Sequence, residues 1–158
     1  MNPSGEYQIS TDARGFDLAL IHDFLRSSYW AQGIPRDVVE RAVENSLCFG
    51  AFVQERQVGF ARVITDRATF AYLADVFVAP EHRGRGVAKL LLRTILAHPD
   101  LQGLRRLLLA TKDAHALYAQ FGFEPLSEPE VFMTIHRPDI YRHGQGQIAQ
   151  HQKRSHNG

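Results

Sequence analysis

The passage Phe77-Val78-Ala79-Pro80-Glu81-His82-Arg83-Gly84-Arg85-Gly86-Val87-Ala88 constrains what this chain can fold into more than any other. A strand-like run from Tyr72 to Val78 stops at a proline, and a glycine-rich turn then opens into an amphipathic helix. Such a strand, turn and helix N-terminus leaves several backbone N–H groups unpaired and pointing one way, an arrangement suited to a phosphate or pyrophosphate. Gly84 and Gly86 let the main chain approach an anion with no Cβ in the way. Two nucleotide motifs are excluded. A P-loop needs Lys-Ser or Lys-Thr after its last glycine, where Val87-Ala88 stands, and the dinucleotide fingerprint needs a small residue where Lys89 stands.

The rest of the chain supplies the elements around this turn. Tyr7 to Ser10 reads as a short strand, Phe16 to Arg26 as a helix with Leu18, Ile21 and Leu25 inward, and Arg36 to Leu47 as a second helix with Val38, Val39, Ala42 and Val43 inward. Cys48 to Gln54, Gln57 to Thr65 and Thr69 to Val78, joined by short polar turns, predict three antiparallel neighbours. Val87 to Ala97 is the helix after the turn, Leu104 to Thr111 a strand covered on both sides, and Ala114 to Phe121 a helix stopped by Gly122. Phe123 to Arg137 is expected to supply the last one or two strands. This order predicts a single-domain α/β (α+β) fold, with a mixed, mostly antiparallel sheet and helices on both faces.

With 158 residues, 44% hydrophobic and 22% charged, the chain is long enough for one domain with a proper core. A net charge of +1 gives no general grip on nucleic acid or acidic membranes, although Arg83, Arg85 and Lys89 would make a local basic patch beside the anion-binding turn. No apolar run approaches the ~20 residues that cross a bilayer, and the opening residues lack a signal-peptide pattern. The single cysteine, Cys48, reads as a small buried apolar residue and fits a reducing compartment, so the expected location is the cytoplasm. Residues 142–158 are polar and rich in Gln and His, and are expected to form a disordered tail after a domain spanning 1–141. Its histidines have no metal-finger spacing, and no metal is expected.

The turn resembles the Arg-x-x-Gly-x-Gly/Ala element of GNAT-type N-acetyltransferases, here Arg83, Gly86 and Ala88. A second stretch, Ala116-Leu117-Tyr118-Ala119-Gln120-Phe121-Gly122-Phe123, resembles that superfamily's Leu-Tyr-x-x-x-Gly-Phe signature and follows in the correct order. The order of elements is also that of the GNAT fold, so the resemblance covers roughly residues 6–141. It implies that the backbone of Val76, Phe77 and Val78 pairs with the pantetheine arm of acetyl-coenzyme A. It also implies that the amides of Gly84, Arg85, Gly86, Val87 and Ala88, beside Arg83, hold the pyrophosphate.

The resemblance implies that Tyr118 gives a proton to the departing thiolate; read from spacing alone, Tyr118 is equally an aromatic packed on the core. Asp75 stands inside the apolar run Tyr72 to Val78, where a carboxylate needs a partner. Either it is a structural residue bonded to a loop N–H or an arginine, or it faces the cleft and attracts or deprotonates an amine. The run Leu73 to Val78 looks like the corresponding strand of polyamine acetyltransferases, but their Glu-Asp pair is Ala74-Asp75 here, which argues against polyamine specificity. Tyr29 and Trp30, between the first two helices, are candidates to line an acceptor pocket, with helix–helix packing as the alternative. The reading is thus an acetyl-coenzyme A-dependent transferase acting on a primary amine of a small molecule or peptide, with no nucleic-acid or membrane partner and a homodimer possible. The alternative is a non-catalytic acyl-coenzyme A-binding module.

Overall fold

The computed structural model describes residues 6–142, so the expected tail, from His143 onward, lies outside the described residues. Its centre is one five-stranded sheet in sequence order: β1 (Tyr7–Ser10), β2 (Leu47–Val53), β3 (Arg56–Thr65), β4 (Phe70–Val78) and β5 (Arg106–Leu109). The first four strands are antiparallel neighbours and β5 runs parallel to β4. That parallel step needs a crossover, which α3 (Val87–Ala97) supplies. The other helices are α1 (Leu18–Arg26), α2 (Arg36–Glu44) and α4 (His115–Ala119).

Alternation along the strands feeds two cores. Phe49 and Ala61 face one side, with Val87, Leu91, Leu92 and Ile95 of α3 and the partly buried Leu117 and Tyr118 of α4. Their chain neighbours Cys48 and Phe60 face the other, with Ile21 and Leu25 of α1 and Val39 and Val43 of α2. The expected helices on both faces are therefore present. Asp17 caps α1 by accepting from the Leu20 amide at 3.0 Å, which is why that helix begins two residues later than its apolar pattern suggests.

The strands expected between Phe123 and Arg137 are not formed. Apart from a 3-10 turn at Pro129–Val131, no helix or strand is found there among the described residues. The run Val131-Phe132-Met133-Thr134-Ile135 has the composition of a strand, but a strand exists only against a partner edge, and Pro125, Pro129 and Pro138 withhold donors on either side.

Candidate active site

The geometry of the site begins with an irregularity in β4. Phe60 of β3 lies opposite Phe77, whereas Arg62, two residues on, lies opposite Ala74, three residues back, so β4 carries one extra residue. That bulge contains Asp75, whose φ of 56° lies in the left-handed region. Aspartate tolerates this conformation better than most residues. Its carboxylate is held on both oxygens: Arg62 Nε donates to Oδ2 at 2.7 Å, and Trp30 Nε1 donates to Oδ1 at 2.8 Å. Arg62 also donates to Ser46 Oγ at 3.2 Å, and the Asp75 side chain is only 8% exposed. The geometry shows the arginine partner that one of the two sequence readings of Asp75 expects.

The bulge has a consequence for the strand's other edge. β4 pairs with β5 only from Phe70 to Leu73, and β5 ends at Leu109. From Ala74 to Val78 the edge of β4 turned away from β3 has no strand beside it among the described residues. Phe77 presents only main chain there, since its ring is buried against Phe24, stacked at a centroid distance of 4.1 Å.

At the end of β4 the chain enters the glycine turn. Ala79 N–H donates to Val58 O at 2.7 Å, and Arg83 Nε donates to Val78 O at 3.0 Å, pinning both sides of the Pro80–His82 turn. Tyr7 reaches across from β1, its hydroxyl 2.9 Å from His82 Nδ1, a support that no local pattern in the sequence announces. Gly84 and Gly86 have φ of 75° and 82°, and a Cβ on either would meet no atom within 4 Å, so both face open space. The first intrahelical bond runs from Leu90 N–H to Gly86 O at 3.0 Å; the N–H groups of Gly84 to Lys89 have no acceptor among the described residues. Val87 is buried, so it too can contribute only its amide. The turn is therefore a cluster of free donors at the positive end of an eleven-residue helix, and Arg83, Arg85 and Lys89 are all exposed around it. The donors, the open space above the glycines and the cationic rim fit the pyrophosphate of a coenzyme A.

Tyr118 packs edge-on to Phe123 at 5.8 Å between ring centroids. Its pKa is raised above the ordinary phenol range, first by burial, then by Tyr29 and Asp113, so the hydroxyl keeps its proton at neutral pH. Tyr29 arrives from the α1–α2 loop, lies under Lys112 Nζ at 4.4 Å and packs edge-on to Trp30 at 5.0 Å. Asp75, Trp30 and Tyr29 are thus linked by a hydrogen bond and an edge-on ring contact, although Asp75 is far from the other two in the chain. The sequence reading missed Arg62, which it treated as an ordinary strand residue, and Lys112. An Arg–Asp pair on adjacent antiparallel strands was the available signal for the first. Two shallow concavities, of about 420 and 900 Å³, lie elsewhere, along α1 and the α1–α2 loop among Asp23, Arg26 and Arg36, and contain none of these groups.

The sequence model of the acetyltransferase (GNAT) family matches residues 16–123, which spans both the opened strand and the glycine turn. The chain belongs to the GNAT family. Members of this family generally use acetyl-coenzyme A as co-substrate. The GNAT chain described here is 34% identical over 139 aligned positions to "Putative acetyltransferase FG08082" of Gibberella zeae, with 73% of this chain and 77% of the relative covered. A crystal structure of a GNAT-family protein from Xanthomonas campestris pv. campestris is 56% identical, with a TM-score of 0.84 over 85% of this chain and 96% of that one. Glucosamine-6-phosphate N-acetyltransferase from Arabidopsis thaliana, at 14% identity and a TM-score of 0.59, covering 82% of this chain and 97% of that one, shares the fold alone. No helix among the described residues is long and apolar enough to cross a membrane.

Proposed function

We propose that this GNAT chain transfers the acetyl group of acetyl-coenzyme A to a primary amine, of a small molecule or a peptide, by direct attack and without a covalent enzyme intermediate. The observation that carries this reading is the β4 edge from Ala74 to Val78, unpaired among the described residues, which leads directly into the free amides of Gly84 to Lys89. When bound, acetyl-coenzyme A supplies the activated thioester. The chain's own part is to hold its pyrophosphate on the turn and to pair the pantetheine amides with the main chain of Val76, Phe77 and Val78. Main-chain N–H groups at the end of β4 would polarise the carbonyl. Tyr118 Oη, protonated across the neutral range, stands ready to donate to the leaving sulfur.

Asp75 takes a positioning role in this reading. With both oxygens engaged it holds the bulge and the Trp30 indole, and the amine proton passes to water. Tyr29 and Trp30, both exposed on one side, form the wall of the acceptor mouth, and the Lys112 ammonium over Tyr29 brings a positive charge to it. The test is thiol release from acetyl-coenzyme A across a panel of amines, amino acids, polyamines, aminoglycosides and peptide N-termini. Turnover with one class, lost in Tyr118→Phe, supports the reading. Tight acetyl-coenzyme A binding with no release for any amine would instead identify a non-catalytic acyl-coenzyme A-binding module.

A further inference from the structure

The charged groups around Tyr29 and Trp30 differ in what already engages them. The carboxylate bonded to Trp30, that of Asp75, has one oxygen on Arg62 Nε at 2.7 Å and the other on Trp30 Nε1 at 2.8 Å, and its side chain is only 8% exposed. It offers an incoming cation no free negative charge. Lys112 is in the opposite condition. It is exposed, its Nζ lies 4.4 Å from the centroid of the Tyr29 ring, and it has no ion-pair partner among the described residues. An ammonium on an aromatic face keeps its charge and still has N–H donors for a second partner. The platform under it is fixed to the sheet, because Tyr29 packs edge-on to Trp30 at 5.0 Å and Asp75 holds the Trp30 indole. Asp113, next in the chain, is exposed and likewise has no ion-pair partner among the described residues. Its charge is felt at Tyr118, where it adds to burial and to Tyr29 in raising the phenol's pKa.

We propose that the acceptor is an amine that also carries an acidic group, a carboxylate or a phosphate, and that Lys112 binds that group. This rests on the acetyl-transfer reading above and names its substrate class. An ammonium bonded to a carboxylate or phosphate makes a charge-assisted hydrogen bond, roughly twice as strong as one between neutral groups. An acceptor with an amine and no acid leaves Lys112 without a partner, and a polyamine or aminoglycoside sets further positive charge against it, with Asp75 already committed to Arg62. Asp113 completes the match, since a negative field at Tyr118 favours an ammonium beside the phenol that serves the leaving sulfur in this reading. In the transfer the amine nitrogen forms the C–N bond as the thioester C–S bond breaks. The sulfur takes a proton from Tyr118 and the nitrogen gives one to water. Lys112 takes part in neither exchange, so its effect falls on which amine is bound.

Thiol release from acetyl-coenzyme A, measured on the full chain with paired acceptors, tests this. The pairs are α-amino acids against their carboxamides and aminoalkyl phosphates against the parent amino alcohols, with polyamines as a third set. The acidic member of one series should have a kcat/KM about 10- to 100-fold higher than its uncharged partner, and the series that shows it tells carboxylate from phosphate. Lys112→Gln should remove most of that preference through KM, Lys112→Arg should keep most of it, and Lys112→Glu should invert it. The side chain is exposed, so folding is retained, and calorimetric titration should find acetyl-coenzyme A affinity unchanged in all three variants. Equal rates within both pairs, or a preference for carboxamides or polyamines, overturns the proposal and leaves acetyl transfer standing. A preference for acids that is indifferent to Lys112→Gln and Lys112→Glu overturns it too. Weakened acetyl-coenzyme A binding in Lys112→Gln would make Lys112 a contact of the coenzyme and overturn it equally. No thiol release with any amine overturns it together with the reading on which it rests.

Discussion

Substituting Asp75 separates the two things this residue does for the fold. Its carboxylate receives two charge-assisted hydrogen bonds, from Arg62 at 2.7 Å and Trp30 at 2.8 Å, and its backbone holds φ at 56° inside a strand. Asp75→Asn keeps the size and tolerates the left-handed backbone, but turns an NH2 group toward one of two donors and leaves the Arg62 guanidinium, 18% exposed, without its counter-charge. A hydrogen bond to a charged group contributes about 1.5–3 kcal/mol, and breaking a buried pair costs about 3–5 kcal/mol. Because Arg62 keeps Ser46 and some water, about 2–4 kcal/mol is expected for Asp75→Asn, a fall in Tm of roughly 4–16 °C for a chain of this size. Asp75→Ala should lose a further ~1–2 kcal/mol, the cost of a left-handed residue with no polar side chain to offset it. Urea unfolding of both variants, of Arg62→Met and of the Arg62→Met/Asp75→Asn pair measures these terms, and the double variant should cost less than the sum of the singles. Asp75→Asn within ~0.5 kcal/mol of the parent would refute the reasoning, because the bulge would then stand without its carboxylate.

Gly86→Asp should lower acetyl-coenzyme A affinity at least tenfold by calorimetric titration, since it puts a negative charge among the free amides of the turn; its Cβ meets nothing, so the fold should survive with at most ~1–2 kcal/mol of backbone strain. Tyr118→Phe keeps the ring and its packing on Phe123 and should slow the chemical step about 10²–10⁴-fold in single-turnover measurements, with coenzyme binding unchanged. Because the folded pKa of Tyr118 is raised, the parent should keep its activity up to and beyond the ordinary phenol value of 10.0 and lose it only as pH rises through the shifted value, a limb absent from the Phe variant. Cys48, buried and with its thiol pushed up to about 12 by desolvation, should resist alkylation at neutral pH until the chain is unfolded in guanidinium; rapid native labelling would contradict that.

Local pattern was enough to determine the elements and their order as far as α4. The run Val87–Ala97 has its helix face written at Val87, Leu90, Leu91 and Ile95, that is i, i+3, i+4 and i+8, and Pro80, Gly84 and Gly86 mark the strand end and the turn, so the glycine turn and α3 were legible residue by residue. The same is true of the antiparallel order of β2, β3 and β4, which short polar turns impose. What tertiary structure alone decided involves pairs of groups distant in the chain. That Asp75 meets Arg62 and Trp30 rather than solvent depends on a one-residue bulge, which no period-2 pattern encodes because only the register against β3 defines it. The support of His82 by Tyr7 arises in the same way. The run Val131–Ile135 shows the limit from the other side: its residues are suited to a strand, but a strand is a relation between two backbones, and the partner is not specified by the segment that needs it.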